Sequence, residues 1–171
     1  MGADLRAALR LVKHLKVKEN MRTYPGKLGH SIPGWVHSGA VFHVRIRADR
    51  NAPAPLTHPD LSARLIESGK RYHNDSKWFV HLFLIMPDHI HALLSFPLEP
   101  GMSRTIGNWK RFHQRQNGVL WQDNYFDHRI RGQSEFDEKA AYIRRNPVVK
   151  GLCQAEEDWG LVMDCRSFTS T

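Results

Sequence analysis

The apolar residues of this chain change period along its length. Residues 35–47 (WVHSGAVFHVRIR) end in alternation, with Phe42, Val44 and Ile46 on one side and His43, Arg45 and Arg47 on the other. A period of two predicts a half-buried strand. A proline-rich connection, NAPAPLTHP, follows. Residues 58–73 carry Leu61, Leu65 and Tyr72 on the inner side of a predicted helix. Residues 77–86 are apolar on both faces, which predicts a strand in the interior of a sheet. Pro87 and Asp88 form a tight turn, and residues 89–97 return as the next strand. The spacing predicts a helix over 101–117, with Ile106, Trp109 and His113 on one side, and a fourth strand over 119–131. A last helix over 135–146 has Ser134 as its cap and Phe136, Ala140 and Ile143 as its inner stripe; Pro147 ends or bends it.

The element order is β-α-β-β-α-β, then a helix. The expected fold class is α+β: a ferredoxin-like (split βαβ) antiparallel sheet with an added C-terminal helix. Residues 1–34 read as a basic N-terminal arm, with an amphipathic helix over 4–18. Residues 35–162 are the domain, and 163–171 a tail. Such a fold does not name a function.

Charge narrows the field. The 171 residues carry a net charge of +8, which points to a polyanion, most often nucleic acid. Residues 1–30 hold seven Lys or Arg against two acids, and residues 101–117 hold four cations and no acid. Each stretch reads either as a phosphate-binding face or as a solvated one. Cys153 and Cys165 match no metal or redox spacing and suit a reducing cytoplasm. The N-terminal residues lack a signal-peptide pattern, and no run reaches membrane-span length, so the expectation is no membrane association.

Candidate chemistry centres on MPDHIH, residues 86–91. Two of the 11 histidines, His89 and His91, stand one residue apart in the most hydrophobic region. Composition alone yields roughly 0.7 His-x-His triplets in such a chain, so the triplet is weak by itself. In a strand, however, residues i and i+2 share a face, and two neutral imidazoles can hold one divalent ion if a third ligand joins them. YIRRNP offers one source: Tyr142 and Asn146, four apart on one side of a helix, beside the inner stripe. Asn146 precedes proline, which disfavours the α conformation there.

MPDHIH, followed by YFDHRIR and YIRRNPVVKGL, resembles the HUH-type Y1 transposases of the IS200/IS605-like group, and is most similar to the REP-associated tyrosine transposases of bacteria. The resemblance spans about residues 35–162. It implies that His89 and His91 bind Mg²⁺ or Mn²⁺, with Asn146 as a further ligand where relatives often have Gln. It implies that Tyr142 is the nucleophile, cutting single-stranded DNA through a 5′-phosphotyrosine. It further implies a partner DNA with hairpins formed by palindromic repeats, and a nucleoid-associated place in a bacterial cytoplasm; monomer and homodimer both stay open. A phenol is a weak nucleophile at neutral pH and needs a cation or base, for which His43 and His81 are further candidates.

Each pick has a plainer alternative. The histidines could be satisfied core residues, Tyr142 an edge-of-core tyrosine with Tyr125 as the rival hydroxyl, and Asn146 and Asp88 turn residues. Expected DNA contacts are Arg45, Arg104, Lys110, Arg111, Arg115, His128, Arg129 and Arg131, although Asp127 or His128 could equally make a structural hydrogen bond. Trp35, Trp109 and Trp121 could stack bases or fill the core. The rival function is a non-catalytic or host-retained hairpin binder on the same fold.

Overall fold

The computed structural model describes residues 39–164; the expected basic arm, its 4–18 helix and Trp35 lie outside them. The elements are β1 (Val41–Arg47), α1 (Pro59–Asn74), β2 (Phe79–Ile85), β3 (His89–Ser95), α2 (Gly101–Asn117), β4 (Phe126–Arg129), α3 (Gln133–Val149) and β5 (Val162–Asp164). A single 3₁₀ turn, Glu156–Asp158, precedes β5. The strands form one antiparallel sheet in the order β4-β1-β3-β2-β5. The first four strands keep the ferredoxin-like arrangement expected from the pattern.

β3 is buried along its whole length because both sheet faces are covered. Phe42, Val44 and Ile46 of β1, Val80, Phe83 and Ile85 of β2 and Ile90, Ala92 and Leu94 of β3 pack beneath α1 and α2, which contribute Leu65, Tyr72, Met102, Ile106 and Trp109. On the other face Leu82, Leu84, Met86 and Leu93 meet Ala140 and Ile143 of α3, with Phe136 beside them. The three inner stripes expected from spacing are therefore present, with Leu61 partly buried.

Several boundaries differ from expectation. The fourth strand covers Phe126–Arg129 rather than 119–131. Upstream, the chain leaves the ladder after one bridge from Trp121 to Ala48. Its polar groups are satisfied instead by Arg47, whose carbonyl accepts from Gln122 N–H, and by Lys110 Nζ, which donates to the Gln122 and Asp123 carbonyls. The last helix begins at Gln133, after Gly132 rather than Ser134, and makes no side-chain cap. It runs through Pro147 to Val149, so Asn146 lies inside the helix despite the proline. β5 crosses the expected boundary at residue 162, since Val162, Met163 and Asp164 pair with Leu84, Phe83 and Leu82. Among the described residues no helix is long and apolar enough to cross a membrane.

One polar network ties α1 to α2 under the sheet. Asn117 Nδ2 donates to His113 Nδ1 (2.7 Å), so the imidazole proton sits on Nε2, facing Ser68 Oγ (2.7 Å). Ser68 Oγ also accepts from Trp109 Nε1 (3.0 Å) and donates to the Leu65 carbonyl (3.0 Å). Arg64 donates to Asn117 Oδ1 (3.0 Å), which holds the amide in the orientation that keeps His113 neutral. Burial, aided by the Arg71 charge, pushes the His113 pKa down to about 4. Above pH 6.5 the imidazole is neutral both folded and unfolded. As pH falls from 6.5 towards 4, the unfolded chain takes up a proton that the folded site refuses, and stability is lost. Between pH 7.5 and pH 5 the wild type should lose about 2 kcal/mol more than His113→Gln in urea unfolding; equal losses would mean that His113 is not held neutral.

Candidate active site

Strand register places the histidine pair. β3 pairs with β1 so that Arg45 lies opposite His91 and Arg47 opposite His89. These side chains share the sheet face under α3, as the period of two requires. α3 crosses this face with Ile143 and Ala140 inward, which leaves Tyr142 on its flank. The Tyr142 ring stands edge-on to His91, with centroids 5.9 Å apart, and is about half exposed (49 %). The His89 and His91 rings are 4.6 Å apart and nearly perpendicular. Together with Arg45, Arg47, Asp88, Asn146 and Lys150 they line an open pocket of about 310 Å³, to which Met86, Pro87 and Leu152 add apolar lining.

Each imidazole has one nitrogen occupied by a protein partner. His89 Nδ1 donates to Asp88 Oδ1 at 2.6 Å. His91 Nδ1 lies 3.1 Å from His43 Nε2, one donating and the other accepting. With the proton on His91 Nδ1, both ligand candidates present an unprotonated Nε2. Burial lowers the pKa of His43 to about 4 and that of His91 to about 2, helped for His43 by Lys139 and Arg45, and for His91 by His89, His43 and the two arginines. Burial also lowers His89, opposed by Asp88. All three rings are therefore neutral at neutral pH, the state in which a ring nitrogen can bind a metal. Asn146 is buried, and its Nδ2 donates to the Tyr142 carbonyl at 3.3 Å. A carbonyl only accepts, so the amide orientation follows, and Oδ1 is left outside that bond.

These donors fit a divalent ion. Among the described residues no three His, Cys, Asp or Glu side chains gather as a metal cage. The protein would thus supply two imidazole nitrogens and the Asn146 oxygen, leaving further positions to water or a phosphate oxygen.

The other expected residues fall in different places. Tyr125 packs against the α1–α2 core, where burial raises its phenol pKa, so it is remote from the histidine pair. Trp109 is fully buried, and Trp121 packs on it with Nε1 donating to the Lys110 carbonyl; both are core residues. Arg104, Arg111 and Arg115 are exposed on α2, in the layer opposite the pocket, and Lys110 there anchors the 119–125 loop. His128 is on the pocket face beside His43 in register and contacts Glu135 Oε1 at 2.6 Å. Arg129 pairs with Phe42 and so belongs to the other face; Arg131 is exposed, its N–H donating to Glu135. His81 lies against Ser95 Oγ (2.8 Å) and Phe136, away from the pocket. Asp88, read from sequence as a turn residue, contacts His89; Arg47, Lys150 and the His43–His91 contact had no separate signal in the sequence.

A ferredoxin-like sheet that faces a His-x-His pair towards a tyrosine on an added helix is the architecture expected of an HUH-type transposase domain. A family model described as "Transposase IS200 like" matches residues 41–146, and the chain belongs to that family. It is 23 % identical over 123 residues to the REP-associated tyrosine transposase of Escherichia coli K12, covering 69 % of this chain and 71 % of that one. A putative REP-associated tyrosine transposase of Haemophilus influenzae is 29 % identical over 93 residues, covering 44 % of this chain and 52 % of the relative. The fold matches a REP-associated tyrosine transposase solved bound to a REP hairpin, with a TM-score of 0.64 and 20 % identity, over 75 % of this chain and 78 % of that one.

The carboxylate behind His89 generates a prediction. If His89 and His91 hold Mn²⁺, Asp88→Ala should weaken its binding by about 10- to 100-fold, because an unsupported imidazole loses both its tautomer and its orientation. Titration of free Mn²⁺ by EPR reads this directly, and an unchanged affinity would remove Asp88 from the ligand's support.

Proposed function

We propose that this protein cuts single-stranded DNA at repeat-derived hairpins and rejoins strands, using Tyr142 as nucleophile. The observation that carries the reading is the half-exposed Tyr142 ring edge-on to His91, in a pocket that also holds His89 and Asn146. In the proposed step the Tyr142 Oη–phosphorus bond forms and the phosphorus–O3′ bond breaks. The phenolic proton passes to solvent or base, the departing 3′ oxygen ends as a hydroxyl, and a 5′-phosphotyrosine remains. Attack by a DNA 3′-OH on that linkage reverses the step and joins a strand without a nucleotide cofactor.

Arg45, Arg47 and Lys150 supply positive charge around the phosphate, against Asp88 as the pocket's one carboxylate. Arg47 lines the pocket opposite His89, where a guanidinium suits a phosphate oxygen. A divalent ion held by His89, His91 and Asn146 would supply Lewis-acid polarisation of the scissile phosphate. Two nitrogen donors favour Mn²⁺ over Mg²⁺, which demands oxygen ligands in a near-ideal octahedron. The cations of α2 lie on the opposite layer and would meet a different part of the DNA, such as the stem.

The test is a denaturing gel of labelled hairpin oligonucleotides with single-stranded flanks, incubated with Mn²⁺ or EDTA. The wild type should form a protein-sized labelled band that requires the ion, and Tyr142→Phe should lose it by at least about 100-fold. Tight binding with no adduct under any ion would leave a hairpin-binding protein without the nuclease.

A further inference from the structure

The strip of sheet beside the pocket carries an exposed aromatic ring with no role in the chemistry above. Register runs straight across three strands: Phe126 of β4 lies opposite Arg45 of β1, which lies opposite His91 of β3. All three share the pocket face. Phe126 is 40 % exposed on the edge strand, although its ring lies against the buried His43. The Arg45 guanidinium carbon is 5.5 Å from its ring centroid, and the His43 ring packs against it edge to face at 5.7 Å. The ring is thus held in place on one side by the residue that supports His91. α3 covers Leu84 and Leu82 further along the sheet but leaves this strip open.

We propose that Phe126 and Arg45 form a stacking platform for one unpaired nucleobase of the DNA strand that enters the pocket; this rests on the single-strand cutting reading. The occupant follows from the chemistry of the strip. An exposed ring joined to a guanidinium offers a flat π-face and a cation together, the pair that single-stranded nucleic acid recognition uses for a base and its backbone. The charge lining the neighbouring pocket, from Arg45, Arg47 and Lys150, matches a phosphodiester chain and does not match an apolar peptide. Distance agrees: two strand spacings, about 10 Å, separate the Phe126 and His91 backbones. That is the reach of a nucleotide or two of extended strand, so a base stacked at Phe126 fixes which phosphate lies beside His91. Phe126 is then a positioning residue that sets the cut site.

The full-length protein is tested with hairpin oligonucleotides in which 2-aminopurine replaces each unpaired nucleotide in turn. On binding, one position should be quenched by the wild type and by Phe126→Trp. Phe126→Leu, which keeps an apolar side chain against His43 but has no π-face, should lose the quenching at that position. Its affinity should be about 5- to 150-fold weaker. An abasic nucleotide at the same position should cost the wild type a similar factor and cost Phe126→Leu little more. A quenching profile in Phe126→Leu that superimposes on the wild type, or abasic losses equal in both proteins, overturns the platform. The two readings part cleanly. A Tyr142 adduct with an unchanged quenching profile sinks the platform and leaves the nuclease. Position-specific quenching lost in Phe126→Leu, with no adduct in the wild type, keeps the platform and sinks the nuclease. A wild type that binds no single-stranded flank overturns both.

Discussion

The register of β3 against β1 is the constraint on which the rest of the site depends. Side chains alternate along a strand, so a slip of one residue would turn His89 and His91 into the α1–α2 core and Ile90, Ala92 and Leu94 towards α3. Burial on both faces forbids that slip. Ile90, Ala92 and Leu94 are fully buried beneath two helices, and Leu93 is fully buried beneath the third. The same pairing brings Arg45 and Arg47 beside the histidines and His43 into contact with His91. The apolar core thereby positions the polar groups of the site.

Burying three imidazoles close together has an electrostatic consequence. In so dry a position, and beside two arginines, a protonated ring is strongly disfavoured, so each stays neutral and must find a partner for its N–H. Asp88 provides one for His89, and in the His43–His91 contact each ring serves the other, one donating and one accepting. These partners orient the rings as well as satisfying them. The pocket's arginines add to the burial that keeps the imidazoles unprotonated, and they give the pocket a positive field.

α3 connects the sheet to the tyrosine. Phe136, Ala140 and Ile143 anchor one side of it on the sheet, which fixes the helix rotation and so the flank on which Tyr142 and Asn146 emerge. The helix continues past Asn146 although the next residue is proline, because packing holds its last turn: Asn146 and Pro147 are both buried. Tertiary burial here overrides a local preference.

Much of this was legible in the sequence because it rests on periodicity. Alternation in β1, the doubly apolar β2, the helical stripes of α1, α2 and α3, and the shared face of His89 and His91 all follow from geometry that each segment carries alone. The ordered motifs also pointed to the family that the comparisons show. What needed the tertiary structure was everything set by the meeting of segments. A β-bulge between Val80 and Leu82 breaks the parity of β2, so the place of His81 could not be counted from its neighbours. The His43–His91 contact joins residues 48 positions apart. The division of the basic residues between the pocket face and the α2 layer depends on which side of the sheet each helix takes. Local spacing determines which side chains share a face; only the folded chain decides what that face meets, because contacts between segments are set by packing rather than by separation along the sequence.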